Sequence, residues 1–145
     1  MRGVTQLHFC DMETKTATLQ KKILIVEDDF FVRDLYGREL TREGFEVETA
    51  ADGPEGLSKI GEVKPDLILL DIMLPKMSGL DVLKKLKEKE ETKNVPVVLL
   101  TNLGQDTVIR EGFSLGAIGY LIKAAYTPTQ IIEEVKRFLR EAGGT

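Results

Sequence analysis

Four short apolar runs in this sequence stop on groups able to do chemistry. Ile23-Leu24-Ile25-Val26 runs into Glu27-Asp28-Asp29, Leu67-Ile68-Leu69-Leu70 ends on Asp71, the run from Val95 to Leu100 ends on Thr101, and Ala117 to Ile122 ends on Lys123. Two carboxylates about 4 Å apart repel by ~4 kcal/mol at an effective dielectric of about 20. A pocket that gathers such ends must therefore hold a proton, a cation or a lysine. A hard divalent ion suits an all-oxygen donor set, and few protein ligands with retained waters point to Mg2+. The ion would bridge to a phosphoryl oxygen and offset the charge that develops in an in-line transfer. Asp71 is then a candidate nucleophile, forming an acyl phosphate. Lys123 can hold one phosphoryl oxygen as a point charge, and Thr101 can donate its hydroxyl hydrogen to another. One or two polar strand ends arise by chance, because loops are polar; four with complementary chemistry are a much rarer accident.

The elements that must position these groups follow from periodicity. Ile23–Val26, Leu67–Leu70 and Val95–Leu100 are continuous apolar runs, as strands buried on both faces should be. Phe45-Glu46-Val47-Glu48-Thr49 alternates instead, which suits an edge strand with one wet face. Between them lie helical patterns. Val32, Leu35, Tyr36 and Leu40 share one face of a helix stopped by Gly44, and Asp52-Gly53-Pro54 opens a short helix carrying Leu57 and Ile60. A Pro75/Gly79 loop leads into a helix with Val82, Leu83 and Leu86 inward, and another helix forms around Ile109 and Phe113. Thr127 and Gln130 are spaced as a capping box, Pro128 falls at the first helical position, and Ile131, Val135, Phe138 and Leu139 form the apolar face of a last helix ended by Gly143-Gly144. Five βα units over about residues 22–141 imply a doubly wound parallel sheet with helices on both faces. Right-handed crossovers leave few topologies, and the flavodoxin-like strand order 2-1-3-4-5 is the expectation. In such a sheet ligands bind outside the carboxyl ends of the strands, where the acids, Thr101 and Lys123 fall.

Bulk properties set the surroundings. The chain has 145 residues, 42% hydrophobic and 30% charged, which suits one ordinary globular domain. With 20 Lys+Arg against 24 Asp+Glu the net charge is -4, and no basic patch argues for nucleic acid as a direct partner. The apolar runs fall far short of the ~20 residues that cross a bilayer. A single cysteine, Cys10, excludes an internal disulfide, and with no signal-peptide pattern a cytoplasmic location is expected. Residues 1–20 lack any period and read as a flexible leader, with residues 21–145 as the domain. His8 and Cys10 in the leader are too few for a closed metal site. Asp29, Asp52, Asp66 and Asp81 read as turn or cap residues.

ILIVEDD, LILLDIMLPKMSG, VVLLT and GYLIK, in this order and spacing, resemble the receiver domain of two-component response regulators. The resemblance covers about residues 22–141 and implies a phosphorylation-activated switch that takes its phosphoryl group from a phosphohistidine. It implies Asp71 as phosphoacceptor and metal ligand, Asp28 as a direct ligand, Glu27 acting through water, and the backbone carbonyl of Met73 as a further Mg2+ ligand. Thr101 matches the family's hydroxyl residue, Lys123 its lysine and Tyr120 its switch aromatic, although a half-buried aromatic on a strand is the plainer reading of Tyr120. The implied partners are a sensor histidine kinase or histidine phosphotransfer protein, and a downstream protein that reads the face of the fourth helix, fifth strand and fifth helix. The oligomeric expectation is a monomer or a phosphorylation-dependent homodimer, with no membrane partner. The chain would be no classical enzyme, though it would assist its own phosphorylation and dephosphorylation.

Two positions depart from the family's pattern. Ala124 stands where proline usually follows the lysine across a cis bond, so Lys123–Ala124 is expected either trans with an altered loop or cis at a cost of about 2.5–4 kcal/mol. Asn102 follows Thr101 where a small residue is usual, and the apolar Met73 and Leu103 offer no group to orient a water, so slow self-dephosphorylation is expected. Competing classes fare worse. A haloacid-dehalogenase-like phosphatase wants a second Asp where Met73 stands, and a cofactor-binding flavodoxin-like module lacks a Gly-x-Gly-x-x-Gly or Walker lysine turn after the first strand. A receiver that never takes phosphate would not need the full Asp71, Thr101 and Lys123 set. No output domain follows in the sequence, so the expectation is a stand-alone regulator or a piece of a longer one.

Overall fold

The computed structural model describes residues 21–102 and 106–142. The expected leader with His8 and Cys10, Leu103, and the Gly143-Gly144 helix end lie outside the described residues. In chain order the elements are β1 (Lys22–Val26), α1 (Phe30–Arg42), β2 (Glu46–Ala50), α2 (Gly53–Val63), β3 (Leu67–Asp71), α3 (Gly79–Lys87), β4 (Val97–Thr101), α4 (Asp106–Ser114), β5 (Gly119–Ile122), a single 3-10 turn (Lys123–Ala125) and α5 (Pro128–Ala142). The five strands form one sheet in the order β2-β1-β3-β4-β5, and every pairing is parallel. The doubly wound, flavodoxin-like expectation is met.

Alternation along the central strands divides the core into two layers. Ile23, Ile25, Leu67, Leu69, Val98 and Leu100 face α1 and α5, where they meet Tyr36, Leu40, Ile131, Val135 and Phe138. Leu24, Val26, Ile68, Leu70, Val97 and Leu99 face the other way, against Ile60 of α2 and Val82, Leu83 and Leu86 of α3. Each fully buried aliphatic side chain is worth about 1.5–3 kcal/mol. Two or three of them outweigh the ~4 kcal/mol repulsion of a close carboxylate pair, so the sheet can impose that proximity at its carboxyl edge.

The helix ends are set locally. Asp29 caps α1, its Oδ1 accepting the N–H groups of Phe31 (2.9 Å) and Val32 (3.2 Å), and Asp52 caps α2 by accepting from Glu55 N–H at 2.9 Å. Thr127 Oγ1 accepts from Gln130 N–H at 3.2 Å while Thr127 N–H donates to Gln130 Oε1 at 2.8 Å, the reciprocal box expected at α5. After α1 the chain reverses at Gly44, whose φ of 101° favours glycine. One side chain differs from the inward face expected of it: Leu35 is exposed, and the inward positions of α1 are taken by Tyr36 and Leu40. β4 begins at Val97 rather than Val95, because Val95 N–H closes the preceding turn on Thr92 O (3.1 Å) and Pro96 has no N–H to give. β5 likewise begins two residues later than expected, at Gly119.

Candidate functional site

Strand register brings the chemical groups together. Val26 pairs with Leu70, Asp71 with Leu100, and Thr101 with Ile122. The next step along β1 and the next after β5 are Glu27 and Lys123, so both land beside Asp71 at the carboxyl edge of the sheet. Glu27 is 1% exposed and Asp71 3%, a depth that carboxylates reach only when compensated. Lys123 supplies the compensation: its ammonium donates to Asp71 Oδ2 at 3.0 Å and forms a short contact with Glu27 Oε1. The remaining oxygens are also engaged, Glu27 Oε2 by Asp29 N–H (3.0 Å) and Asp71 Oδ1 by Met73 N–H (3.1 Å).

Asp28 completes the group from the solvent side. Glu27, Asp28 and Asp71 each offer a carboxylate oxygen, and these atoms lie within 4.8 Å of one another. Three carboxylates face one ammonium, so negative charge is in excess. Burial, reinforced by Asp71, raises the Glu27 carboxyl above its ordinary value. Burial also acts to lower Lys123, but its hydrogen bonds to Glu27 and Asp71 prevail and raise it. Such an all-oxygen, under-compensated donor set fits a hard divalent cation. The cleft above it holds about 350 Å³ and is walled by Asp28, Asp29, Val32, Met73, Asn102 and Lys123.

The loops around the cleft are pinned. Gly79 N–H donates to Ile72 O at 2.8 Å, and a Cβ at Gly79 would sit 2.1 Å from Asp71 O, so only glycine lets α3 begin this close to β3. Lys76 Nζ reaches Asp52 Oδ2 at 3.2 Å, tying the β3–α3 loop to the start of α2. No cis peptide bond occurs among the described residues, so Lys123–Ala124 is trans, and Lys123 reaches Asp71 from the 3-10 turn.

The arrangement has known counterparts. Residues 23–136 match the response regulator receiver domain. This chain belongs to that family. It is 39% identical over 119 residues to the DNA-binding dual master transcriptional regulator RpaA of Synechocystis sp., covering 82% of this chain and 49% of that protein. It thus spans about half the length of the curated relatives it matches. Among solved structures, the CheY-like receiver domain protein of Methanospirillum hungatei superposes with a TM-score of 0.79 at 33% identity, over 86% of this chain and 97% of the other. Chemotaxis protein CheY4 of Vibrio cholerae superposes with a TM-score of 0.77 at 32% identity, over 81% and 98%.

Within this receiver the structure gathers Glu27, Asp28, Asp71, Met73 and Lys123 around one cleft, with Thr101 buried at the adjoining strand end. Tyr120 lies apart on β5, pointing outward at 39% exposure and packed edge-to-face on Phe113 with ring centroids 6.0 Å apart. Asp52 caps α2 as expected, whereas Asp66 Oδ2 accepts from Lys22 N–H at 2.7 Å and so ties the approach to β3 to the start of β1, and Asp81 sits exposed in the first turn of α3. Asp29 does both: it caps α1 and borders the cleft. Sequence reasoning passed over Arg33, whose guanidinium bonds to the backbone of the acidic pair. Its partners are carbonyl oxygens, which every residue has, so no residue pattern announces the contact.

Proposed function

We propose that Asp71 is the phosphoryl acceptor of this receiver and that Glu27, Asp28, Asp71 and the Met73 carbonyl hold Mg2+, with Thr101 and Lys123 receiving the phosphoryl oxygens. The observation that carries the proposal is the buried Asp71 carboxylate with the Lys123 ammonium 3.0 Å from Oδ2 and two further acids beside it. In the transfer an Asp71 oxygen attacks phosphorus, the O–P bond forms as the donor's P–N bond breaks, and the leaving imidazole takes up a proton. A bound Mg2+ supplies offset of the charge on the phosphoryl oxygens. Lys123 is already oriented on Asp71 and can follow the new charge without a large movement.

The donor would be a histidine kinase or a histidine phosphotransfer protein. Loss of charge balance at Asp71 would draw Thr101 inward and let Tyr120, now outside against Phe113, rotate toward the space vacated. That changes the α4–β5–α5 face, which a downstream protein would read. The chain acts in this proposal as a switch rather than as a turnover enzyme, in a cytoplasmic setting, for which a single cysteine is suited. Among the described residues no helix is long and apolar enough to cross a membrane.

Incubation with a small phosphodonor and Mg2+, read by intact mass, tests the acceptor. The wild type should gain one phosphoryl mass and Asp71→Asn none. Equal gain by both, or none by either, would remove Asp71 from the role.

A further inference from the structure

Arg33 lies in the first turn of α1, behind the acidic pocket rather than in it. Its Nη1 donates to Glu27 O at 2.7 Å and lies 3.3 Å from Asp28 O. Its guanidinium carbon is 5.6 Å from the centroid of the Phe30 ring, so an aromatic face steadies the planar cation. One guanidinium therefore clasps the two consecutive carbonyls whose residues contribute two of the three clustered carboxylates. Fixing those carbonyls fixes the peptide planes on either side of Asp28, and with them the directions in which the Glu27 and Asp28 side chains leave the chain.

We propose that Arg33 is a positioning residue for the divalent cation, holding Glu27 and Asp28 in a binding arrangement before the ion arrives. The inference rests on the reading of this pocket as a Mg2+ site. Two effects of the guanidinium oppose each other. Its charge repels a cation, but Arg33 is partly exposed and screened by solvent. Its clasp orders the ligands, and loss of such an outer-shell partner commonly weakens a metal site 10- to 100-fold. Ordering prevails. Both contacts come from the single Nη1, whose position the guanidinium plane fixes against the Phe30 ring; a lysine keeps the charge on a flexible stem with no such plane, so it does not restore the clasp.

Calorimetric titration of Mg2+ into the full chain, wild type against Arg33→Met and Arg33→Lys, decides the matter, with thermal melts of each metal-free protein alongside. Both variants should bind Mg2+ about tenfold more weakly, with melting temperatures close to wild type. Both should also show faster exchange of the Asp29 amide hydrogen, which rests on Glu27 Oε2 at 3.0 Å in the ordered loop. Tighter binding by Arg33→Met with Arg33→Lys unchanged would show a charge effect alone and overturn the inference. A lowered melting temperature with unchanged Mg2+ affinity would reduce Arg33 to a fold-stabilising contact and overturn it too. A wild type that takes up no Mg2+ would overturn the pocket reading itself, a failure distinct from wild-type binding that the variants leave unaltered.

Discussion

Glu27 and Lys123 carry the electrostatics of the site. Glu27 has a raised carboxyl pKa because burial and Asp71 disfavour its charge. A raised pKa means that its contribution to stability is complete below about pH 4.5 and is lost as pH rises through the folded value. In the absence of divalent ions, urea denaturation across that range should therefore show declining stability, and Glu27→Gln should flatten the decline; an unchanged slope would contradict the shift. Lys123 answers with the opposite sign of charge. Lys123→Met leaves three carboxylates uncompensated and should cost about 3 kcal/mol in chelator at neutral pH, the usual penalty for breaking a buried pair. A loss below about 1 kcal/mol would show that solvent reaches the pocket freely. Glu27, Asp71, Thr101 and Lys123 were legible in the sequence because each terminates an apolar run, and a buried strand end has only one place to put a polar side chain. Arg33 was not legible, since its partners are backbone carbonyls brought within reach by a helical turn.

The β3–α3 connection is the element on which the site depends most closely. Gly79→Ala would press a methyl against the backbone of Asp71 and Ile72, atoms that cannot rotate away. The expected loss is about 2–3 kcal/mol in denaturant titration. Any variant chain that folds should also bind Mg2+ more weakly, because the Met73 end of the loop must shift; wild-type stability and affinity together would refute the tight approach. At α5 the capping box gives a local comparison, with Thr127→Ala expected to cost about 1 kcal/mol by the same measurement and no Mg2+ affinity at all. Helix caps and strands were readable from sequence because their signals are local. The outward turn of Leu35 was not, since 3.6-residue periodicity defines a face but not its width. Which residues at the margin of an apolar stripe meet the sheet depends on how each helix is rolled against it.

For the molecule as a whole, parallel order β2-β1-β3-β4-β5 converts four separate strand ends into one pocket. Because that pocket is under-compensated only in the folded chain, Mg2+ should bind the native state selectively. At about 100 times the dissociation constant it should add ~2.7 kcal/mol to stability. The metal-free melting temperature should thus rise by some degrees with Mg2+ and return with chelator, while Asp28→Asn should abolish most of the rise; a shift of equal size in that variant would place the ion elsewhere. Topology was the most legible level, since repeated βα alternation with right-handed crossovers leaves few alternatives. Any partner's identity was the least, because exposed side chains are not determined by this chain's own packing.

The layered core of β1, β3 and β4 has an evolutionary consequence. Glu27, Asp71 and Thr101 end or follow strands whose residues are buried or nearly so, whereas the outer residues of the helices are exposed and pair mainly with surface charges. Substitutions in the first set are vetoed by stability; substitutions in the second are almost free. Drift can therefore alter the outer surface of this module far more readily than the buried strands that hold its acidic pocket in place.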